Sequence, residues 1–126
     1  MNKMMKNRDI LGLGSFFMSS WDTVMADAKL GSRTLYNLIR LKKTVLPIAE
    51  NVQETVIEIA KSHGGETLDN GGIKVPDDKI QEVNKIIEEF LEEEESIESP
   101  VLKVTDDDSM PSALMDAIFD FIEFED

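Results

Sequence analysis

Apolar residues recur at steps of three and four along residues 32–61, which is the longest regular pattern in the chain. These positions share one side of an α-helix and are Leu35, Leu38, Leu41, Val45, Ile48, Val52, Val56 and Ile59. The spacing predicts an amphipathic helix rather than a strand. Ser32 stands where an N-cap is expected, and Gly64-Gly65 stand where the helix must end. Pro47 lacks a backbone N–H, so a kink or a break is predicted near Leu46, and the continuing stripe favours a kink.

A second apolar pattern precedes this stripe. Its spacing predicts a helix over about residues 9–29, with its apolar positions at Ile10, Leu13, Phe17, Trp21, Val24 and Ala28. Gly12 and Gly14 weaken the start of that helix, and Ser15 could cap a later start instead. The connection to the long helix is short, so the two helices should pack as an antiparallel hairpin. Residues 1–8 are polar and rich in methionine, and we expect them to be frayed.

After the helical hairpin the pattern changes to short extended pieces. Asn70-Gly71 predicts a tight turn between two extended pieces within residues 66–75. Pro76-Asp77-Asp78 suits the first turn of a third helix, because proline and acidic residues are favourable there. The apolar stripe of that helix is Ile80, Val83, Ile86, Ile87, Phe90 and Leu91.

The last part of the chain predicts one extended stretch and one helix. Residues 97–104 are typical of an extended segment, which Pro100 confines to an edge or an unpaired position. A closing helix is predicted over about residues 111–122, capped by Asp108 or Ser109. The predicted fold is a single α+β domain over residues 1–126 that is mainly α. It has an N-terminal helical hairpin over residues 9–63 and an acidic part over residues 64–126, with a small β-hairpin and two further amphipathic helices.

Charge is distributed unevenly between the two halves of the chain. The net charge is −13. Residues 1–63 hold 9 Lys+Arg against 6 Asp+Glu, whereas residues 64–126 hold 4 against 20. This division predicts either a mildly basic layer beside a solvated acidic layer, or a molecule that assembles head to tail or offers an acidic face to a basic partner. Phosphate would repel the chain as a whole, so no direct nucleic-acid binding is expected.

Two charged clusters are the candidate protein-interaction residues. The basic cluster precedes Pro47 and consists of Arg33, Arg40, Lys42 and Lys43. The acidic cluster ends the predicted third helix and consists of Glu92, Glu93, Glu94 and Glu95. Each cluster is also typical of a solvated helix face, and the basic one could instead pair with the acidic half. With little aromatic interleaving, the basic cluster is a weak nucleic-acid patch.

No combination of residues in the sequence indicates catalysis or a bound cofactor. The chain has no cysteine, which excludes disulfides, cysteine zinc sites and cysteine nucleophiles. His63 is the only histidine, and no motif places a nucleophile beside it. Residues 106–108, all aspartate, lack the spaced ligands, the glycine and the closing glutamate of a calcium loop. We therefore predict no catalytic residues, no metal and no cofactor.

A membrane association is not predicted either. Residues 10–18 form the longest apolar run near the N-terminus, but they include two glycines and are too short to span a bilayer. Lys3, Lys6 and Arg8 precede this run and resemble the start of a signal peptide. Asp9 and the missing small-residue cleavage site argue against that interpretation.

The order of the patterns has a parallel among known proteins. A helical hairpin ends in glycine and is followed by the turn DNGGIKVP at residues 69–76. An amphipathic helix then runs into a glutamate-rich end and the extended residues 97–104, and Phe121-Ile122-Glu123 lies in a short closing helix. This order resembles a family of small acidic proteins encoded by tailed bacteriophages and prophages, whose function is largely unassigned. The resemblance covers most of the chain, best over residues 65–125, and is poorest before Leu30. It implies a phage-encoded, non-enzymatic protein and carries over no functional residues.

Together these patterns favour a phage structural or assembly protein in the virion or the host bacterial cytoplasm. Its partners would be other proteins or further copies of itself, and Met4, Met5, Met18 and Met25 could give an adaptable contact surface or fill the core. The alternative is an acidic inhibitor that mimics nucleic acid, with the carboxylates of residues 88–95, 98 and 106–108 in place of phosphates. The basic first half counts against that alternative. An enzyme would need a cleft in which two carboxylates and His63 converge, which the spacing does not indicate.

Overall fold

The protein has an α+β fold that is mainly helical, seen in a computed structural model that describes residues 2–124. The helices are α1 Asn7–Ser19, α2 Trp21–Asp27, α3 Ser32–Ser62, α4 Ile80–Glu92 and α5 Ser112–Ile118, the last followed by the 3-10 turn Phe119–Phe121. The strands are β1 Asn2–Lys6, β2 Glu66–Thr67, β3 Ile73–Lys74, β4 Glu94–Glu98, β5 Leu102–Val104 and β6 Ile122–Phe124. The strands pair in twos: β1 with β4 and β2 with β3 antiparallel, and β5 with β6 parallel. The predicted fold class is confirmed.

The inner face of α3 is the centre of the core. Leu38, Leu41 and Val45 have no exposed surface. Buried side chains from the other elements cover this face, namely Ile10, Leu13, Phe17, Val24, Ile97, Leu102, Leu114, Ile118 and Phe121. Burial of the stripe stabilises α3 more than the helix propensities of its residues, because most helical stability in proteins comes from packing an amphipathic face. The predicted long helix is therefore present, one residue longer than residues 32–61.

Helices α1 and α3 come into close contact at Gly14. A Cβ atom added to Gly14 would lie 2.5 Å from the Cβ of Ala49, closer than two non-bonded carbon atoms can approach without a shift of the backbone. The pairing of two small residues therefore lets the helix backbones approach and places Leu13 and Phe17 in the core. The sequence marks Gly14 as a weak point of the helix, whereas the fold requires it for packing.

Pro47 does not break α3. The helix runs without interruption from Ser32 to Ser62, and Pro47 is exposed on its outer side. A proline inside a helix removes one hydrogen bond and crowds the carbonyl four residues earlier. On the outer side of α3 that carbonyl can turn towards water. Of the two predicted outcomes near Leu46, the break is therefore wrong.

The prediction that residues 1–8 are frayed is wrong for residues 2–8, while residue 1 lies outside the described residues. Strand β1 pairs with β4 so that Asn2 lies opposite Glu98 and Lys6 lies opposite Glu94. The two strands are about 90 residues apart in the chain, and the local composition of β1 gives no sign of this partner. Residues 2–6 are therefore held by a long-range pairing that local sequence patterns do not indicate.

The first predicted helix is divided in two. It begins at Asn7 rather than near residue 9, and it is interrupted at Ser20, which separates α1 from α2. Asn7 is fully buried, and its side-chain amide donates a hydrogen bond to the Phe90 carbonyl at 2.9 Å. Its backbone N–H donates to the Glu93 carbonyl, also at 2.9 Å. Asn7 therefore supplies hydrogen-bond donors to two carbonyl groups at the C-terminal end of α4, of which the Phe90 carbonyl also accepts the Glu93 N–H at 3.1 Å.

The predicted β-hairpin is present and consists of β2 and β3. Thr67 lies opposite Ile73. The Gly71 N–H donates to the Leu68 carbonyl at 3.0 Å, and Gly71 has a φ of 84°, a conformation that favours glycine. Asn70 has a negative φ, and its side-chain oxygen accepts a hydrogen bond from the Gly72 N–H at 2.9 Å. The turn therefore differs from the two-residue form in which both central residues have positive φ.

Helix α4 is displaced from its predicted position at both ends. The Lys79 N–H donates to the Pro76 carbonyl at 2.8 Å, so Pro76-Asp77-Asp78 form a turn before the helix instead of its first turn. The helix ends at Glu92, and Glu94 already belongs to β4. The end of the predicted glutamate-rich helix is therefore a strand, because it pairs with β1.

The C-terminal segment is less helical than predicted. The extended region is divided around Pro100 into β4 and β5, as expected for a residue that cannot donate a backbone hydrogen bond. Helix α5 covers only Ser112–Ile118, and Ile122 lies in β6 opposite Leu102 of β5. The N-cap position of α5 is Pro111, and no side chain caps it, so the predicted cap by Asp108 or Ser109 is wrong.

Asp108 instead caps α3. The N-cap position of α3 is Gly31 rather than the predicted Ser32. The Asp108 carboxylate accepts hydrogen bonds from the Gly31 N–H at 2.7 Å, the Thr34 hydroxyl at 3.0 Å and the Thr105 N–H at 3.0 Å. Burial of this carboxyl raises its pKa, but these hydrogen bonds outweigh burial, so the pKa of Asp108 is lowered. The N-terminus of α3 is thus capped by a residue 77 positions away from Gly31 in the chain.

Candidate protein-interaction surfaces

Two of the predicted basic residues are held on the exposed side of α3 by a tyrosine between them. Tyr36 is 53% exposed. The guanidinium carbon of Arg33 lies 5.3 Å from the centre of the Tyr36 ring, and that of Arg40 lies 5.7 Å from it. A cation over an aromatic face is attracted by the ring electrons, so the two arginines are ordered around one ring. The i, i+3 and i+7 spacing of Arg33, Tyr36 and Arg40 is the sequence signal for this arrangement, which the sequence analysis missed.

The other two predicted basic residues lie in different surroundings. Lys42 is half-buried, and its ammonium group lies 4.2 Å from the centre of the Trp21 ring. Trp21 is itself only half-buried and also makes an edge contact with Phe17, 5.9 Å between ring centres. Lys43 is exposed. Lys42 therefore belongs to the contact between α3 and the first two helices, whereas Lys43 shares the outer side of α3 with Arg40.

The outer side of α3 carries a continuous line of exposed residues, which we call the outer stripe. Its members recur at steps of three and four and are Arg33, Tyr36, Arg40, Lys43, Pro47, Glu50, Glu54 and Glu58. This spacing places them on one side of the helix, opposite the buried stripe. The outer stripe therefore contains three of the four predicted basic residues and three carboxylates that the sequence analysis did not single out.

The four predicted glutamates do not form one surface. Glu92 ends α4, Glu93 is the residue after it, and Glu94 and Glu95 are exposed residues of β4. Glu92 accepts hydrogen bonds from Lys6 at 2.7 Å and from Arg8 at 3.0 Å. The hydrogen bond from Lys6, followed by that from Arg8, lowers the pKa of Glu92.

An internal ion-pair cluster thus forms around Arg8. The Arg8 guanidinium also contacts the Glu88 carboxylate at 2.6 Å, and its pKa is raised chiefly by that hydrogen bond. The groups are about half-exposed, so these pairs are of the kind that contributes little stability. None of the ion pairs found among residues 2–124 joins the predicted basic cluster to the predicted acidic cluster.

A groove beside β1 is a second candidate contact surface. It encloses about 510 Å³, with Met4, Met5, Leu13, Phe16 and Ala117 on its apolar walls and Lys6, Arg8, Asp9, Glu94 and Asp120 among its charged residues. Gly12 also lines it, and a Cβ atom added there would meet nothing within 4 Å. Gly12 therefore differs from Gly14, which packing requires. Met4 is 55% exposed at this groove, whereas Met5 and Met25 pack against the core.

His63 occupies a local structural position at the end of α3. Its Nδ1 atom lies 2.8 Å from the Ile59 carbonyl oxygen, a distance at which the tautomer with its proton on Nδ1 donates a hydrogen bond to this carbonyl. Its Nε2 atom lies 4.0 Å from a Glu82 carboxylate oxygen, so the ring faces the first turn of α4. Among residues 2–124, the one hydroxyl found within hydrogen-bonding distance of the ring is that of the neighbouring Ser62, 3.1 Å from the same Nδ1.

Within residues 2–124, no group of three or more His, Cys, Asp or Glu residues has an arrangement that could hold a metal ion. In the same part of the chain, no helix is both long enough and apolar enough to cross a membrane. Comparisons with models of known families, with characterised proteins and with solved structures found no match.

Proposed function

We propose that this chain is a non-enzymatic phage structural or assembly protein that acts through protein–protein contacts, in the virion or in the host bacterial cytoplasm. The observation that carries the proposal is the exposed arrangement of Arg33, Tyr36 and Arg40. Arginine and tyrosine are enriched at protein interfaces because each combines a flat apolar surface with hydrogen-bonding groups. Two guanidiniums already ordered on one ring lose less conformational freedom when a partner binds.

The charge balance of this surface supports a protein partner. Neither Arg33 nor Arg40 takes part in the ion pairs found among residues 2–124, so both guanidiniums are available to a carboxylate from another molecule. Arginine binds carboxylates through two parallel hydrogen bonds. A nucleic-acid partner is disfavoured by the net charge of −13.

Fractionation of phage particles tests this proposal. Tagged wild-type chain, Arg40→Glu and Lys85→Glu would each be expressed in the strain that produces the particles, and the particles would be purified by density-gradient sedimentation. Lys85 is exposed on α4, so it gives the same change of charge away from the outer stripe. We expect the wild type and Lys85→Glu to accompany particles or particle precursors, and Arg40→Glu to remain largely soluble. Absence of all three chains from every particle and precursor fraction would contradict an assembly role.

Nucleic-acid mimicry remains the second proposal because Glu94, Glu95 and Glu98 are exposed along β4. However, Glu88 and Glu92 are engaged by Arg8 and Lys6, and Asp108 caps α3, so several of the carboxylates that would replace phosphates already have partners. If the protein mimics nucleic acid, it should displace DNA from a basic host protein, and added salt should abolish the displacement.

A further inference from the structure

The charges of the outer stripe are sorted by sign along α3. Arg33, Arg40 and Lys43 lie before Pro47, and Glu50, Glu54 and Glu58 lie after it. All these residues are exposed. At 1.5 Å per residue, the stripe is about 38 Å long from end to end. One helix face thus presents a basic half and an acidic half in line.

Such an order is unfavourable within a single chain. Glu50, Glu54 and Glu58 follow one another at i, i+4 steps, where like charges repel, and Arg40 and Lys43 are three residues apart. Arg33 also places a positive charge in the first turn, where the helix dipole favours a negative one.

Little within the molecule relieves this repulsion. Lys61 lies 4.0 Å from Glu58, and no other ion pair found among residues 2–124 includes a residue of the outer stripe. The remaining five charges of the stripe are therefore left for a surface of complementary charge.

We propose that the outer stripe is the contact surface of a two-fold symmetric dimer, in which the α3 helices of two copies pack antiparallel about an axis near Pro47. Arg40 and Glu54 lie at equal distances on either side of Pro47. In the antiparallel pair, Arg40 of each copy therefore lies opposite Glu54 of the other, and Lys43 lies close to Glu50 of the other. This inference rests on the proposed function, because it identifies a second copy as the partner.

The antiparallel arrangement follows from the charges. A parallel pair would place basic half against basic half. A head-to-tail contact would join two different surfaces and would build a ring or an open filament, whereas a two-fold contact uses the same surface twice and closes at two copies. Both signs of charge that the dimer needs lie on α3. The proposed contact therefore does not require the basic residues 1–63 of one copy to bind the acidic residues 64–126 of another.

Charge reversal tests the pairing. Sedimentation equilibrium of the full chain would compare the wild type, Arg40→Glu, Glu54→Arg and the double variant, with Lys85→Glu as the control outside the stripe. Each single reversal in the stripe creates like charges across the two-fold axis, so we expect the dimer Kd to rise at least about tenfold. The double variant restores opposite charges, and its Kd should return to within about threefold of the wild type.

Salt gives a second expected result. Because the contacts are exposed charges, raising the salt from about 50 mM to about 500 mM should weaken the wild-type dimer several-fold and the control variant equally. Unchanged dimerisation in the single reversals, or no recovery in the double variant, would overturn the antiparallel pairing.

The two proposals can fail separately. A wild type that stays monomeric at every protein concentration and salt level overturns the dimer. The assembly role is tested separately, by whether the protein is found in the fractions that contain particles or their precursors. Conversely, a salt-sensitive dimer that is absent from particles and precursors would support the dimer and contradict the assembly role.

Discussion

The inner and outer faces of α3 belong to one helix and differ in what stabilises them. On the inner face, Leu38, Leu41 and Val45 are fully buried, and the free energy comes from apolar surface removed from water, which depends little on salt. On the outer face, the arginines and glutamates are exposed to water. Single ion pairs between exposed groups contribute little free energy, and salt screens them. Folding stability and association can therefore be changed separately in this helix.

The largest expected effect is on the inner face. Leu38→Ala leaves a cavity beneath α3, and we expect it to lower the free energy of unfolding by about 2–5 kcal/mol. Tyr36→Ala, two residues away on the outer face, should change it by less than about 0.5 kcal/mol. Urea denaturation followed by circular dichroism measures both. Equal losses in the two variants would contradict the assignment of the faces.

The two glycines of α1 sharpen the same comparison. Gly14→Ala forces a methyl group against Ala49 on the inner face, and we expect a loss of about 1–3 kcal/mol. Gly12→Ala adds its methyl group in open space and should stabilise the protein by about 0.5–1 kcal/mol, because alanine favours the helix. Thermal and urea unfolding of the pair are the measurement. Stabilisation by Gly14→Ala would show that the close helix contact is absent.

The cap at the start of α3 gives a smaller, pH-dependent effect. The folded state lowers the pKa of Asp108, so its stabilising contribution is present above the ordinary pKa of aspartate and is lost as the pH falls through the lowered value. Asp108→Asn should therefore cost about 1 kcal/mol near neutral pH, and the difference from the wild type should narrow in acid. Asp106→Asn, an exposed change in the same turn, is the control. A difference that stays constant with pH would contradict the role of the carboxylate.

The smallest expected effect has opposite signs for folding and for association. Glu54→Gln removes the repulsion with Glu50 and Glu58, so in dilute protein it should stabilise the monomer by about 0.2–0.5 kcal/mol. The same change removes a charge opposite Arg40 and should weaken the dimer. Unfolding at low protein concentration and sedimentation at high concentration measure the two effects. A stronger dimer would contradict the proposed pairing.

Sequence patterns predicted the parts of the fold that depend on local periodicity. The inner stripe of α3 and the hairpin turn at Gly71 are present because each is determined by neighbouring residues. The pairing of β1 with β4 and the cap supplied by Asp108 could not be predicted, since their partners lie more than 70 residues apart in the chain. The contact of Asn7 with the end of α4 is of the same kind.

The candidate surfaces were predicted only in part. Arg33, Arg40 and Lys43 do lie together on the outer face, but Lys42 turns towards Trp21. Glu92 is engaged by Lys6 and Arg8, and that contact depends on a pairing of β1 that the sequence analysis did not predict. The sorting of charges along α3 was visible at helical spacing. It was missed because charge was counted by halves of the chain.

Distances between two spin labels test the antiparallel dimer most directly. The chain has no cysteine, so Thr44→Cys and Ser62→Cys each introduce a single labelling site. The two sites lie five helical turns apart on the same side of α3. An antiparallel dimer with its axis near Pro47 predicts a distance between copies below about 20 Å for labels at residue 44 and of about 45 Å for labels at residue 62. Short distances at both sites would indicate a parallel pair, and the absence of any coupling between copies would indicate a monomer; either result would contradict the account.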